Sequence, residues 1–360
     1  MERQEMTMRA AGFSPLWQRR DFVAALAALG AGGVRAAEAT AQAPAPAASG
    51  AAAASGTGTS ASGAPTKWIV GYPAGGGADF VTRVLAAQMG AQMRQTIEVV
   101  NMPGKGGTIA AGAAAKAAGD GHNLFTADNG ILVYNASLFK SLPYDPDKDF
   151  ALIGFMARTP LLLVASPQSG FTSLEQVLAA AKANPSQPLR YASPGEGSPH
   201  HLAMELLKSQ TGLVATHVPY RGTGMAMPDV TSGKVPLLVI DLAGGLGPVR
   251  NGLVVPVMTL SSRRVAQLPN VRTASQSALG NVNAYATVGL VAPASTPAAT
   301  QAQLNTELQA AMRNPEVFKK LNDAGWETAA GDPMLLRAYM AAERAVWPPL
   351  IKERGITVPQ

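Results

Sequence analysis

Three consecutive glycines, Gly75, Gly76 and Gly77, follow a short apolar segment and stand directly before Ala78 and Asp79. This order predicts a strand, a glycine-rich turn and the first turn of a helix. The first N–H groups of a helix have no intrahelical acceptor, and the aligned peptide dipoles place partial positive charge on them. Because glycine has no Cβ, a ligand can approach the main chain closely. The segment therefore suits a small anion such as a carboxylate; the alternative is a tight turn that binds nothing.

A second turn of similar composition follows a predicted strand at residues 189–192 and reads Ser-Pro-Gly-Glu-Gly-Ser-Pro over residues 193–199. Pro199 suits the first position of a helix, and Ser198 suits the N-cap. The pattern predicts a helix over residues 200–211. This turn would present a second group of exposed main-chain N–H groups.

Several polar side chains near these turns have two interpretations each. Asp79 either complements the dipole of its helix or accepts a hydrogen bond from a ligand amine or hydroxyl. Asp128 and Asn129 either cap a turn or contact a ligand. Arg221, which follows Tyr220 in a glycine-rich loop, is either a carboxylate clamp or a surface arginine.

Enzyme and metal signatures are missing from the sequence, and we expect no catalytic activity and no cofactor. No G-x-S-x-G motif is present, and Val99 stands where a P-loop would need its first glycine. His200 and His201 are adjacent, so they do not share a helix face as a two-histidine metal site would require. A hydrolase built from distant carboxylates remains the least favoured alternative. The basic residues are scattered, which argues against nucleic-acid binding.

The N-terminus has the pattern of an export signal. Arg19 and Arg20 precede an apolar run over residues 22–34, and Ala37-Glu38-Ala39 supplies a small-residue cleavage site. The paired arginines favour twin-arginine export over the general secretory route. We predict a signal peptide at residues 1–39, cleaved to leave a periplasmic protein. If it is not cleaved, the run could act as an anchor, although it is too short to span a bilayer.

Residues 40–66 are almost entirely Ala, Pro, Gly, Ser and Thr, which predicts a disordered linker. The remaining chain alternates apolar strand-like segments with helical ones, which favours parallel sheets of the α/β class. In such sheets, ligands bind beyond the carboxyl ends of the strands. Residues 73–79, 128–130 and 193–198 would all lie at such ends. Apolar segments near residues 161–166 and 287–293 would carry the chain out of a first lobe and back.

Five segments, in this order, carry a resemblance to a known family. They are residues 69–79 (IVGYPAGGGAD), 100–107 (VNMPGKGG), 142–150 (LPYDPDKDF), 191–202 (YASPGEGSPHHL) and 217–222 (HVPYRG). The chain resembles the receptors of tripartite tricarboxylate transporters, the Bug family of periplasmic solute-binding proteins. The resemblance implies a type II-like periplasmic-binding-protein fold. In it, two lobes, each a mixed sheet flanked by helices, would hold a small carboxylate in the cleft between them. The first lobe would be residues 67–165 plus 287–360, and the second residues 166–286.

The resemblance also implies a monomer that delivers its ligand to integral membrane subunits; a soluble sensor that docks to a signalling partner is the alternative. Members of the family hold the ligand carboxylate with main-chain amides from two loops. Glu196 departs from the usual pattern and would repel an anion unless it faces solvent or a ligand amine, and residues 241–244, which begin with Asp241, replace a more polar stretch. The expected ligand-binding residues are Tyr72, Gly75, Gly76, Gly77, Ala78, Asp79, Asp128, Asn129, Ser193, Gly195, Glu196, Gly197, Ser198, His200, Tyr220, Arg221 and Asp241.

Overall fold

The computed structural model describes residues 65–277, 279, 282–329 and 331–358. The predicted signal peptide, residues 1–39, and residues 40–64 of the predicted linker lie outside the described residues. Ten strands lie in the described part: β1 (Thr66–Val70), β2 (Ile97–Asn101), β3 (Asn123–Asp128), β4 (Phe150–Ala165), β5 (Leu189–Ser193), β6 (Ala215–Pro219), β7 (Leu237–Asp241), β8 (Val255–Thr259), β9 (Tyr285–Pro293) and β10 (Glu327–Thr328).

The α-helices of the described residues follow the strands that the sequence alternation predicted. They are α1 (Gly77–Met93), α2 (Thr108–Ala115), α3 (Asn135–Leu138), α4 (Leu174–Ala183), α5 (Pro199–Thr211), α6 (Thr223–Thr231), α7 (Leu242–Arg250), α8 (Ala298–Arg313), α9 (Pro315–Asp323) and α10 (Pro333–Glu353). A π-helical turn, Gly130–Tyr134, joins β3 to α3. Local rules explain several helix starts: α5 and α9 each begin at a proline that follows a capping side chain, Ser198 and Asn314.

Two elements differ from the sequence expectation. Strand β4 has 16 residues, whereas the sequence indicated an apolar segment only near residues 161–166, and Pro160 in its interior is a residue that normally argues against a strand. Helix α7 was not predicted, because three glycines and Pro248 give it weak helix propensity. The side chain of Asp241 caps its start by accepting the N–H of Gly244.

One sheet connects the strands in the order β2-β1-β3-β9-β4-β7-β5-β6, and β8 and β10 also pair with β4. The N-terminal part of β4 pairs with β9, and its C-terminal part pairs with β7 and β8. Strand β4 therefore belongs to two sets of strands: β1, β2, β3, β9 and β10 on one side, and β5, β6, β7 and β8 on the other.

The parallel strands of these two sets point their carboxyl ends at each other. Strand β3 is antiparallel to β9, β9 to β4, and β4 to β7, while β5 and β6 run parallel to β7. Asp128, at the end of β3, pairs with Val288 of β9, which in turn pairs with Ala157 of β4. Asp241, at the end of β7, pairs with Leu161 of β4. Four residues of strand separate these two levels by about 13 Å. The turns that follow both sets therefore open toward the same short stretch of β4.

The hydrophobic core continues across both sets of strands. Leu161 and Leu163 of β4 lie in the largest buried cluster, which also contains Phe125 of β3 and Tyr191 of β5. Their neighbour Leu162 lies in a separate cluster on the opposite face. Because successive strand residues point to opposite faces, β4 is covered on both sides in this region. This packing holds the ends of the two strand sets at a defined separation.

Candidate functional site

The first glycine turn ends at Gly76, whose extended backbone caps α1 without a side-chain hydrogen bond. The first intrahelical bond runs from the N–H of Phe80 to the carbonyl of Gly76, at 2.9 Å. The N–H groups of Gly77, Ala78 and Asp79 have no acceptor within the described part of the chain. Three successive donors at a helix N-terminus form a site suited to an anion.

Two of the predicted donors in this turn already have internal acceptors. The N–H of Gly75 donates to Oδ2 of Asp79 at 2.8 Å, and the N–H of Gly76 lies 3.3 Å from the carbonyl oxygen of Pro73. The donors left available for a ligand are therefore those of the first helical residues rather than those of the first two glycines.

Asp79 is buried and organises this turn. Its carboxylate accepts hydrogen bonds from Arg83 Nε and Asn101 Nδ2, each at 2.9 Å, as well as from Gly75. Burial acts to raise the pKa of Asp79, but these hydrogen bonds, led by the one from Arg83, hold it below its usual value. The ionised carboxylate therefore accepts hydrogen bonds from its own chain and holds the conformation of the turn.

The second turn is also held by its own hydrogen bonds. Ser198 Oγ accepts the N–H of His201 at 3.2 Å and donates to the carbonyl of Gly195 at 2.7 Å. The N–H of Gly195 lies 3.2 Å from Ser193 Oγ, and the N–H of Gly197 donates to Nδ1 of His201 at 3.1 Å.

The remaining donors of the second turn are main-chain groups of two other residues. The N–H groups of Glu196 and His200 have no acceptor within the described residues. Glu196 is exposed, so the charge of its side chain is screened by solvent.

Asp128 ends β3 in a buried position. It accepts the hydroxyl of Tyr72 on Oδ2 and the N–H of Ile131 on Oδ1, at 2.8 Å for the latter. Burial raises the pKa of the Asp128 carboxyl above its usual value. Asn129 donates from Nδ2 to the carbonyl of Tyr285 at 2.9 Å. Its Oδ1 is buried and has no partner among the described residues.

Asp241 connects the starts of two helices. Oδ1 accepts the N–H of Gly244 at 2.6 Å, and Oδ2 lies 3.3 Å from Nε2 of His200 at the start of α5. Burial acts to raise the pKa of Asp241, yet His200 and the cap hydrogen bonds keep it below its usual value. The Asp241 carboxylate is therefore held by hydrogen-bonding groups of its own chain. Nδ1 of His200 is buried without a partner in the described chain.

Close contacts connect the starts of the helices and turns that follow the two sets of strands. A Cβ on Gly77 would lie 2.8 Å from Cζ2 of Trp326, and one on Gly325 would lie 3.1 Å from the nitrogen of Ala243. The segment 325–326 therefore touches the start of α1 and the start of α7. A Cβ on Gly197 would meet the side chain of Leu138, at 2.8 Å, which places the second turn against the end of α3.

Within the described residues, the side chains of Tyr220 and Arg221 make no hydrogen bond with the two turns, although the backbone of Tyr220 does. The hydroxyl of Tyr220 donates to Asp229 Oδ2 of α6 at 2.7 Å, while its N–H donates to the carbonyl of Ser193 at 3.0 Å. Tyr220 thus links the second turn to α6 through its backbone. Arg221 is exposed.

Sequence reasoning missed Arg158, which lies on β4 in the stretch toward which both sets of turns open. Its guanidinium pairs with Glu327, with Nε 2.9 Å from Oε2, and its Cζ lies 4.1 Å from the centroid of the Tyr285 ring. A charged residue inside an otherwise apolar segment was the available signal. It was overlooked because only the last residues of this strand were recognised.

Among the described residues, no cluster of His, Asp or Glu side chains is arranged to hold a metal ion, and no helix has the length and apolar character needed to cross a bilayer. A groove of about 700 Å³ lies along α2 and is lined by residues of neither turn. The candidate site consists of main-chain donors.

A family model described as the tripartite tricarboxylate transporter family receptor, TctC, matches residues 81–356. The chain belongs to this family. The match confirms the resemblance that the five motifs suggested. Members of the TctC family are solute-binding receptors and not enzymes, in agreement with the expectation from the sequence.

Three solved structures resemble this TctC-family chain along most of its length. Rpa4515 of R. palustris with adipate is 28% identical, with a TM-score of 0.76 over 82% of this chain and 98% of that one. MatC (Rpa3494) from Rhodopseudomonas palustris with bound malate is 30% identical, with a TM-score of 0.73 over 80% and 98%. The periplasmic binding protein BugD is 27% identical, with a TM-score of 0.74 over 82% and 99%. These matches confirm the predicted α/β periplasmic-binding-protein fold.

The pKa of Asp79 leads to a prediction about stability. Because this pKa is lowered by folding, its contribution is present above the unfolded pKa, about 3.9, and is lost as the pH falls through the folded value. We expect Asp79→Asn to lower the free energy of unfolding by about 1–3 kcal/mol at pH 7. The difference should shrink below about pH 4. Urea unfolding followed by circular dichroism at pH 7 and pH 3 measures it.

The matched control is Glu98→Gln, at an exposed position on β2. It should change stability by less than about 0.5 kcal/mol at either pH. Equal destabilisation by Asp79→Asn at both pH values would contradict the assigned role of the ionised carboxylate.

Proposed function

We propose that this protein is an exported receptor that captures a small carboxylate solute and delivers it to a tripartite tricarboxylate-type membrane transporter. In this proposal, the ligand carboxylate binds between the N-terminus of α1 and the turn before α5. The donors are the N–H groups of Gly77, Ala78 and Asp79 on one side and of Glu196 and His200 on the other.

The observation that carries the proposal is the row of three unpaired N–H groups at the start of α1. An anion there gains hydrogen bonds to charged groups worth roughly 1.5–3 kcal/mol each. Four such bonds, reduced by the cost of association, are sufficient for a Kd near 1 μM, which requires roughly 8 kcal/mol. The related Rpa4515 and MatC structures, which hold adipate and malate, support a carboxylate as the ligand class.

We also propose that the strand sets correspond to two lobes, residues 67–165 plus 287–360 and residues 166–286. The pairing of β4 with both sets supports this division. Closure of the lobes on the ligand would then produce the form that the membrane subunits recognise. The protein acts as a monomer in this scheme.

Ligand binding is tested by thermal shift and calorimetry of residues 40–360 with adipate, malate, a monocarboxylate series and amino acids. A ligand at about 100 times its Kd adds roughly 2.7 kcal/mol of stability, so at least one carboxylate should raise the Tm by several degrees. The corresponding uncharged amides should give no shift. Stabilisation by none of the carboxylates would contradict the proposed function.

Two variants of one residue then test the site. Gly77→Pro fits the first helical position and the extended backbone of Gly76, but it removes one N–H donor. Gly77→Ala adds the same Cβ against Trp326 and keeps the donor. We expect Gly77→Pro to weaken carboxylate binding about ten- to a hundredfold relative to Gly77→Ala, since one hydrogen bond to a charged group is lost. Equal affinities would remove the N-terminus of α1 from the site.

Delivery to a transporter predicts a transport phenotype. Deletion of the gene should abolish uptake of the radiolabelled carboxylate identified by calorimetry, and a plasmid copy should restore it. The Gly77→Ala and Gly77→Pro copies should restore uptake in proportion to their affinities. Normal uptake in the deletion strain would favour the sensor alternative.

Export by the twin-arginine route predicts that Arg19→Lys together with Arg20→Lys leaves the precursor in the cytoplasm. Cell fractionation and immunoblotting measure the cleaved periplasmic form, which should fall at least tenfold. A matched pair of Arg3→Lys and Arg9→Lys should be exported normally. Normal export of the Arg19/Arg20 variant would assign the protein to the general secretory route.

A further inference from the structure

A stack of three rings lies beneath the second turn. The ring of His217 on β6 lies between two others: its centroid is 3.9 Å from that of His201 and 4.9 Å from that of Tyr191. The interplanar angles are 12° and 21°, respectively. Tyr191 and His201 are both buried. The stack therefore joins β5, β6 and α5 directly below the residues that precede α5.

Both imidazoles contact polar groups of the turn. Nδ1 of His201 accepts the N–H of Gly197 at 3.1 Å, and Nε2 of His217 lies 2.7 Å from Ser193 Oγ. Ser193 Oγ also contacts the N–H of Gly195, at 3.2 Å. The two rings thus hold the beginning and the end of the segment that contains Glu196.

The backbone between these attachment points is unusual. Gly195 has φ +158° and Gly197 has φ +71°, in the range that residues with a Cβ rarely adopt. Nδ1 of His201 is the acceptor for the N–H of Gly197. Without it, this N–H would have no acceptor in the described chain, and the C-terminal side of the Glu196 residue would lose one of the contacts that orient the turn.

Burial, more than the neighbouring charges, favours uncharged imidazoles in the stack. Glu205 of α5 contacts three side chains around the stack. It accepts a hydrogen bond from the hydroxyl of Tyr191 at 2.9 Å and pairs with Lys208 at 2.6 Å. Nε2 of His201 lies 3.9 Å from its Oε1. Glu196, the other acidic residue near the stack, is exposed to solvent. Burial and, to a smaller extent, Lys208 lower the pKa of His201 to about 4.

The second imidazole behaves in the same way. Burial, the proximity of His201 and Lys208 lower the pKa of His217 to about 3, although Glu205 acts in the opposite direction. A neutral His201 can accept a hydrogen bond at Nδ1. A protonated one would present an N–H to the N–H of Gly197, and the contact would be lost.

We propose that His201 and His217 are positioning residues for ligand binding: as a stacked pair they hold the second turn so that the N–H groups of Glu196 and His200 stay directed at the ligand carboxylate. This inference rests on the proposed function. It assigns to the two rings a role in affinity that is additional to their role in packing.

The test compares two substitutions of His201. In His201→Asn, the side-chain Oδ1 takes the place of Nδ1 and can accept the Gly197 N–H; His201→Leu has a similar volume and no acceptor. Amide hydrogen exchange of the ligand-free protein should show at least tenfold faster exchange at Gly197 in His201→Leu than in the wild type. Exchange in His201→Asn should lie within about threefold of the wild type.

Calorimetry with adipate and malate as probes, extended to the other carboxylates of the panel, gives the second readout. We expect His201→Leu to bind at least tenfold more weakly at pH 7, and His201→Asn to recover most of the affinity. Between pH 6 and 3, a range that spans the pKa of about 4 for His201, the wild type should lose more affinity for the same carboxylate than His201→Asn, which has no imidazole at position 201 to protonate.

Wild-type affinity in His201→Leu, or equal pH profiles in the wild type and His201→Asn, would overturn the positioning role while leaving the proposed function intact. Binding of no carboxylate by the wild type would instead overturn the proposed function and, with it, this inference. Unchanged exchange at Gly197 in His201→Leu would overturn the inference independently of any ligand.

Discussion

The unpaired N–H groups at the start of α1 are the constraint around which the site is built. A helix cannot provide acceptors for its first N–H groups, so water or a ligand must provide them. Here the usual side-chain cap is absent, because the residue at the N-cap is Gly76. The nearby carboxylate of Asp79 is directed to Gly75, Arg83 and Asn101 instead. The helix start is therefore held by hydrogen bonds and still has three N–H groups without an acceptor among the described residues.

The position of these donors relative to the second turn follows from one strand. Because β4 pairs with β9 at one end and with β7 at the other, it sets the separation of the two opposed groups of carboxyl ends. The segment that contains Gly325 and Trp326 adds contacts between the starts of α1 and α7. A change in the distance between the turns would have to be accommodated in β4 near Leu161 and in the neighbouring start of β9 at Tyr285.

Charge compensation is a common property of the polar residues around the turns. Asp79 is paired with Arg83 and Arg158 with Glu327, while Asp241 accepts a hydrogen bond from the N–H of Gly244. His201 and His217, in contrast, are kept uncharged by burial, which lowers the pKa of each. The main-chain donors thus lie among groups whose charges are balanced locally, and the helix dipole can favour an anion there.

The sequence alone determined the alternation of strands and helices, the two glycine-containing turns and the family. These features depend on local rules: apolar periodicity, glycine before a helix, and Ser198 with Pro199 as cap and first helical residue. The sequence could not show the full length of β4, since Pro160 argues locally against a strand and only pairing on both sides of β4 stabilises it there. It also missed α7, which forms despite weak propensity because Asp241 caps it and Leu242 and Leu246 pack into the core.

For the candidate site, local reasoning selected the two glycine-containing turns but could not say which of their amides are available. Gly75, Gly195 and Gly197 were expected as donors, and the structure gives each an acceptor in its own chain. One of those acceptors, His201, is four residues away, and the ring that stacks on it, His217, lies on another strand. Only the tertiary structure could decide this, because whether a main-chain N–H is free depends on every polar atom that folding brings within about 3 Å of it.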